Sequence, residues 1–279
     1  MKIRHWRLAH GRSLDLGPAS VIMGILNVTP DSFADGGLYD RAEKAIGHAR
    51  RMMEEGASII DIGGESTRPG GAPVSAAEEQ ARILPVIDAL AQSGAILSVD
   101  TYRAETARVA VAHGAHIVND VWGAQRDPAI ADVAAETGAG FVLMHTGRER
   151  HKDPDVIADQ FLFLRRSLEI ASHAGVADEA IVLDPGFGFA KETPEDNLEL
   201  IARFEELHEL GYPFAVGTSR KRFVGHVTGR QAPADRAIGT AATSVILRLK
   251  GAHVFRVHDV AANRDALRIA DAVMAFDER

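Results

Sequence analysis

Cysteine is absent from the 279 residues. That excludes disulfides, thiolate nucleophiles and zinc–thiolate sites, and it agrees with a reducing cytosol. A positive charge balance is missing too, since the net charge is −8 and the pI about 5.8. Nucleic-acid-binding domains are usually basic, so no nucleic-acid partner is expected. An anionic substrate stays open because it answers to local charge. No apolar run approaches the roughly 20 residues of a membrane span. The N-terminal "MKIRHWRLAHGRSLDLG" lacks the apolar core of a secretory signal. These absences point to a cytoplasmic protein with no membrane partner. No linker, low-complexity tract or composition break divides the chain, so residues 1–279 read as one domain.

What is present is a repeat of pattern. Eight short apolar runs end in polar or glycine clusters: "VIMGILN", "SIIDIGG", "AILSVD", "AHIVND", "GFVLMH", "AIVLDPG", "PFAVGTS" and "HVFRVHD". They are rich in Val, Ile and Leu, as strands covered on both faces should be. Amphipathic stretches such as "RAEKAIGHARRMMEEG" lie between them and often stop at Gly. Strands alternating with helices imply βαβ units, and eight units fit an α/β fold of the (β/α)₈ TIM-barrel type. An open doubly wound sheet is the alternative, but no GxGxxG follows the first strand. The residues before Val21 read as a β-hairpin capping the N-terminal end of the barrel.

A barrel of this kind carries its active site at the C-terminal ends of its strands. That rule gathers Asn27, Gly63 to Arg68, Asp100, Asn119, His145, Asp184, Gly217 to Lys221 and Arg256 to His258 around one mouth. Asp100, Asn119 and Asp184 each end an apolar run. Alone, any of them reads as a structural group satisfied by loop N–H donors. Together they suit the edge of a heterocycle, a metal, or acid–base work. Of the consecutive Arg220, Lys221 and Arg222, Lys221 is expected to turn inward; a solvated basic turn is the plainer reading. Arg256 and His258 lie two apart, face one side of a strand, and match a phosphate or pyrophosphate; a paired Arg and a hydrogen-bonded core His is the plainer reading. "TPDSFADGG" and "GGESTRPGG" are glycine-rich loops, either closing over a ligand or merely connecting. For the first, a calcium-loop reading lacks the terminal Glu and the ligand spacing. Its "NVT" sequon has no use in an unsecreted chain. In "DPGFGF", Phe189 is placed to stack on a planar substrate.

"GILNVTPDSFADGG", "IIDIGGESTRPG", "SVDT", "HIVND", "LMH", "LDPGFGF", "GTSRK" and "RVHDV", in this order from about residue 20 to 260, resemble the dihydropteroate synthase family of folate biosynthesis. The resemblance implies a homodimeric (β/α)₈ transferase. Such an enzyme joins 6-hydroxymethyl-7,8-dihydropterin diphosphate to 4-aminobenzoate, releasing pyrophosphate by an SN1-like displacement. It implies that Asp100, Asn119, Met144, Asp184, Gly217 and Lys221 bind the pterin. Asn27 then ligates a Mg²⁺ cofactor, and Asn27, Thr67, Arg68, Arg256 and His258 meet the pyrophosphate. Phe33, Thr67, Pro69, Phe189, Ser219 and Lys221 surround the aminobenzoate. Phe33, Pro69, Phe189 and Ser219 are then also the region that decides sulfonamide response. Asp35, Asp100, Asp184 and Lys221 form the implied catalytic set, with Asp35 stabilising a cation.

Three stretches depart from the family pattern. Thr218 stands where Met is common. Arg222 stands where a Ser often helps hold the aminobenzoate carboxylate, so it either substitutes as a cation or points to solvent. "TGRERHKDP", residues 146–154, is unusual and reads as a mobile surface loop. Two rivals share the pterin-binding barrel. A corrinoid-dependent methyltransferase needs neither "SRK" nor "RVHD". A silent pterin-binding paralogue should have lost Asn27, Asp184, Lys221, Arg256 or His258, and all five are present.

Overall fold

The computed structural model describes residues 3–29, 38–65, 74–191 and 193–277. Strands β1 (Arg4–Arg7) and β2 (Ser13–Leu16) form an antiparallel hairpin, with Arg4 opposite Leu16 and Arg7 opposite Ser13. A parallel sheet follows, made of β3 (Val21–Asn27), β4 (Ile59–Gly63), β5 (Ile96–Asp100), β6 (Ile117–Asp120), β7 (Gly140–Met144), β8 (Ile181–Asp184), β9 (Ala215–Val216) and β10 (Val254–Val257). Its order is β8-β7-β6-β5-β4-β3-β10-β9. The ring closes where Leu183 bridges Phe214 in parallel and the Leu183 N–H donates to the Pro213 carbonyl at 2.9 Å. This is the expected eight-stranded barrel with its hairpin.

Helices cross over between the strands: α1 (Leu38–Glu55), α2 (Ala76–Ala91), α3 (Ala104–Ala112), α4 (Ala129–Thr137), α5 (Val156–Ala174), α6 (Pro194–Ala202), α7 (Arg222–Thr228), α8 (Ala237–Leu249) and α9 (Val260–Asp277). Their ends follow local chemistry. Asp155 accepts from the Ile157 and Ala158 N–H groups and so starts α5. Thr193 and Asp196 make a reciprocal capping box on α6. Arg248, fully buried, donates to Asp271 at 2.6 Å and locks α8 to α9.

Side chains alternate across each strand, so the barrel has two cores. Outward residues such as Ile60, Ile62, Leu97, Val99, Leu143 and Leu183 pack under the helices. Inward residues Val21, Ile59, Ile96, Ile117, Val142 and Val254 form a second cluster with Trp6, Leu8 and Leu16 of the hairpin segment. The hairpin therefore stoppers the barrel from below. Trp6 Nε1 donates to the Ala180 carbonyl at 2.8 Å. A Cβ at Gly140 would lie 2.5 Å from Leu8 Cδ2, so glycine there makes room for the stopper.

Candidate active site

Climbing the barrel interior, the inward columns change character. In β4 the column reads Ile59, Asp61, Gly63, and in β5 Ile96, Ser98, Asp100. In β10 and its continuation it reads Val254, Arg256, His258. An apolar floor thus gives way to charge over two residues of each strand. Register lines up Asn27 with Gly63, Gly63 with Asp100 and Asp100 with Asn119; Asn119 lies opposite Val142, and Met144 and Asp184 face each other one inward step higher.

Arg256 stands at the centre of the charge. Its Nε donates to Asp61 Oδ2 and its Nη2 to Asp100 Oδ2, both at 2.6 Å. Asn119 Nδ2 donates to the same Asp61 oxygen at 3.1 Å. Asp61 and Asp100 are buried, and a buried charge is costly without a partner. Here two carboxylates share one guanidinium. Burial pushes the Asp100 carboxyl up to about 7; Arg256 opposes this and Asp61 adds to it. Burial works against charge on Arg256 too, but Asp61 and Asp100 outweigh it and hold the guanidinium protonated.

Asp184 ends β8 and accepts from the Gly186 N–H at 2.7 Å. That turn brings Gly186 (φ 63°) against the next loop, where a Cβ would meet the His145 carbonyl oxygen at 1.9 Å. Only glycine fits there. Burial raises the Asp184 carboxyl, against the Gly186 N–H, Lys221 and Arg256. Lys221 donates to the Phe187 carbonyl, and its Nζ lies 4.3 Å from the centre of the Phe189 ring. Burial pulls the Lys221 ammonium down to about 7, opposed by Asp184. Its neighbours go elsewhere: Arg220 pairs with Asp259 at 2.6 Å, and Arg222 is exposed at the first position of α7. Ser219 Oγ contacts His258 Nδ1 at 2.9 Å and accepts from the His258 N–H at 3.1 Å. The expected aminobenzoate and pyrophosphate groups are thus directly joined.

The mouth brings together Asn27, Asp100, Asn119, Met144, Asp184, Gly217, Ser219, Lys221, Arg256 and His258. Phe33, Asp35, Thr67, Arg68 and Pro69 lie outside the described residues, as does most of each glycine-rich loop. Arg103 links the described residues flanking the second loop, reaching Glu65 at 2.5 Å and the Val74 carbonyl at 2.7 Å.

His145 does not face the mouth. Met144 points inward, so parity turns His145 out toward α5. There it contacts Asp159 at 2.9 Å, and Lys191 Nζ lies 3.1 Å from its Nδ1. Burial holds the imidazole neutral, near 3, with the Lys191 charge adding to the effect. The 146–154 stretch is not a loose surface loop either. Arg150 donates to both oxygens of Asp159, at 2.8 and 2.6 Å. Lys152 Nζ donates to the Ala190 carbonyl at 2.6 Å, which ties this loop to the one after β8. Sequence reasoning gave no weight to Asp61, Lys191 or Arg150. For Asp61 a signal existed: an acid inside an apolar strand, at the parity of Ile59, must have a buried partner.

A sequence model of the pterin binding enzyme family matches residues 23–258. The dihydropteroate synthase of Bacillus subtilis is 49% identical over 256 residues, covering 91% of this chain and 89% of that one. This chain belongs to the dihydropteroate synthase family. It is thereby an enzyme, of the transferase class. Solved members of the dihydropteroate synthase family superpose closely. That of Xanthomonas albilineans, solved with 4-aminobenzoic acid, has a TM-score of 0.91 at 44% identity, covering 97% of this chain and 99% of that one. That of Clostridium difficile, solved in the presence of pteroic acid, has a TM-score of 0.90 at 45% identity, covering 93% and 98%. Against the dihydropteroate synthase pattern, Thr218 is buried and its hydroxyl bonds to that of Thr243 at 2.8 Å.

Proposed function

We propose that this chain condenses 6-hydroxymethyl-7,8-dihydropterin diphosphate with 4-aminobenzoate, giving 7,8-dihydropteroate and pyrophosphate. The supporting observation is the barrel mouth that gathers Asp100, Asn119, Asp184 and Lys221 above an apolar floor, in a chain of this family. A pterin edge carries amino and ring N–H donors beside a carbonyl. Asp184 accepts from the donors, Asn119 and Asp100 complete the edge, Lys221 donates to the carbonyl, and Gly217 leaves room beside it. Met144 packs on the ring face. Shape and paired polarity bind the ring, since a site built to hydrogen-bond rejects analogues that leave its groups unpaired.

Arg256 commits two nitrogens to Asp61 and Asp100, which fixes its plane and leaves Nη1 for the pyrophosphate. His258 and Asn27 approach from neighbouring strands, with Thr67 and Arg68 completing the set. Among the described residues no three His, Asp or Glu side chains converge on a metal position. The chain offers instead the neutral amide of Asn27 at the rim. That donor suits Mg²⁺, which takes most of its ligands from water and substrate phosphates. When bound, Mg²⁺ neutralises charge growing on the leaving group. The chain's own contribution is the same in kind: fixed donors aimed where negative charge develops.

The C–O bond to the pyrophosphate breaks first, and its electron pair leaves with the phosphate oxygen. The electron-rich pterin spreads the positive charge left on carbon, aided by Asp35. The arylamine nitrogen attacks and then loses a proton. No strong base is required, because an aniline is already neutral near pH 7. Phe33, Thr67, Pro69, Phe189, Ser219 and Lys221 hold the aminobenzoate.

We also propose a homodimer. Ile238, Ile246 and Leu249 of α8 and Ile269, Val273 and Phe276 of α9 are exposed. Each set falls on one helical stripe, and large apolar faces mark association sites. The catalytic reading is tested by pyrophosphate release. Release must require both substrates and Mg²⁺; its absence with all three present sinks the reading.

A further inference from the structure

A buried ammonium lies beneath the site with no part in the proposed chemistry. Lys191 ends the loop after β8, and its side chain is buried. Its Nζ donates to the Gly186 carbonyl at 2.9 Å and to His145 Nδ1 at 3.1 Å. With Nδ1 accepting, the imidazole proton belongs on Nε2, which faces Asp159 Oδ2 at 2.9 Å. Asp159 is held in turn by both terminal nitrogens of Arg150 and by the Asp153 N–H. A chain of contacts thus runs from the first turn of α5 through His145 and Lys191 to Gly186.

Gly186 is the residue whose N–H meets Asp184 Oδ1 at 2.7 Å, and it is gripped on both sides. Gln160, next to Asp159 on α5, donates to the Pro185 carbonyl at 3.0 Å and fixes the peptide that carries that N–H. Lys191 takes the carbonyl on the far side, which also accepts from the Phe189 N–H at 3.1 Å. The backbone of Lys191 is itself tied down. Its carbonyl accepts from Asn197 Nδ2 at 3.2 Å, while Asn197 Oδ1 accepts from the Gly188 N–H at 2.7 Å. A glycine has the widest backbone freedom of any residue, so these bonds decide where the Gly186 N–H points.

We infer that Lys191 is a positioning residue for the pterin: it holds Gly186 so that the Gly186 N–H sets the plane of the Asp184 carboxylate toward the substrate's N–H donors. This rests on the pterin site proposed above. The charge of Lys191 works in the same direction. Burial raises the Asp184 carboxyl, and Lys221, Arg256 and Lys191 all oppose the rise. Burial pulls Lys191 down to about 7, with Lys221 and Arg150 adding to the effect and Asp184 and Asp159 opposing it. The ammonium is therefore charged below about pH 7, the side on which a raised carboxyl takes up its proton.

The test is calorimetric binding of the pterin diphosphate, with Mg²⁺, to the full chain on both sides of neutral pH. Lys191→Met keeps the stem but neither donor nor charge. Its Kd on the acid side should rise on the order of tenfold or more, the worth of one charge-assisted bond. The acid limb of its binding profile should also move to higher pH, because a cation that opposed protonation of Asp184 is gone. Asp100 and Lys221 titrate in the same range, so the shift is read as a difference from the unaltered chain. Lys191→Arg should return the limb and part of the affinity. Lys191→Gln, a donor without charge, gives the same comparison should the methionine variant fail to fold. An unchanged Kd in folded Lys191→Met overturns the inference. So does a loss that is equal at every pH and not relieved by arginine, because that means a rearranged loop. If the unaltered chain binds the pterin diphosphate yet releases no pyrophosphate with 4-aminobenzoate, the condensation falls and binding still decides the role of Lys191. If it does not bind, both fall.

Discussion

At the scale of the residue, Asp61 decides how Arg256 is held. It lies at the foot of the polar level, fully buried, and takes both Arg256 Nε and Asn119 Nδ2 on one oxygen. It touches no substrate in the proposed scheme and acts through those two. Asp61→Asn keeps the size and an acceptor but removes the charge. The expected result is a fall in kcat/KM for the pterin diphosphate of about 10- to 100-fold, the value of a charged hydrogen bond. The melting temperature should stay near that of the wild type, since Asp100 still pairs Arg256. Steady-state kinetics beside a thermal melt checks this; an unaltered kcat/KM would mean that Asp100 suffices.

At the scale of the element, most of the architecture was legible. All eight apolar runs are barrel strands, because a strand covered on both faces must be apolar throughout and reads so. The strand-end residues Asp100, Asn119 and Asp184 were legible by the same logic, being polar where an apolar run stops, whereas Lys221 lies beyond β9 as the cap of α7 and was singled out only from a basic triplet. Arg150 and Lys191 were not. Their partners, Asp159 and His145, are near in space through packing of α5 on the barrel, which no local pattern encodes. His145 went astray by one residue of parity. The hairpin β1–β2 was legible as a cap, but that Trp6 fills the barrel floor emerges only from the fold. Trp6→Ala should cost about 3–5 kcal/mol, the range for a buried aromatic. It lies at the floor, so kcat of the folded fraction should survive. Urea unfolding followed by assay below the transition tests this. A variant of normal stability but low kcat would show that the stopper shapes the site directly.

At the scale of the whole molecule, α8 and α9 form one rigid outer wall, pinned by Arg248 and Asp271. With the proposed association through that wall, Ile238→Asp combined with Ile269→Asp should turn a sedimenting dimer into a monomer. A monomeric wild type at micromolar concentration would remove the proposal. No helix among the described residues is long and apolar enough to cross a membrane. The floor has a last consequence, for traffic. With Trp6, Leu8 and Leu16 filling its base, the barrel is a cul-de-sac, and whatever enters by the rim must leave by it. In the proposed scheme the pterin sits deepest, so it must arrive before the aminobenzoate. The pyrophosphate needs the same doorway that the aminobenzoate uses, and the joined product backs out pterin last.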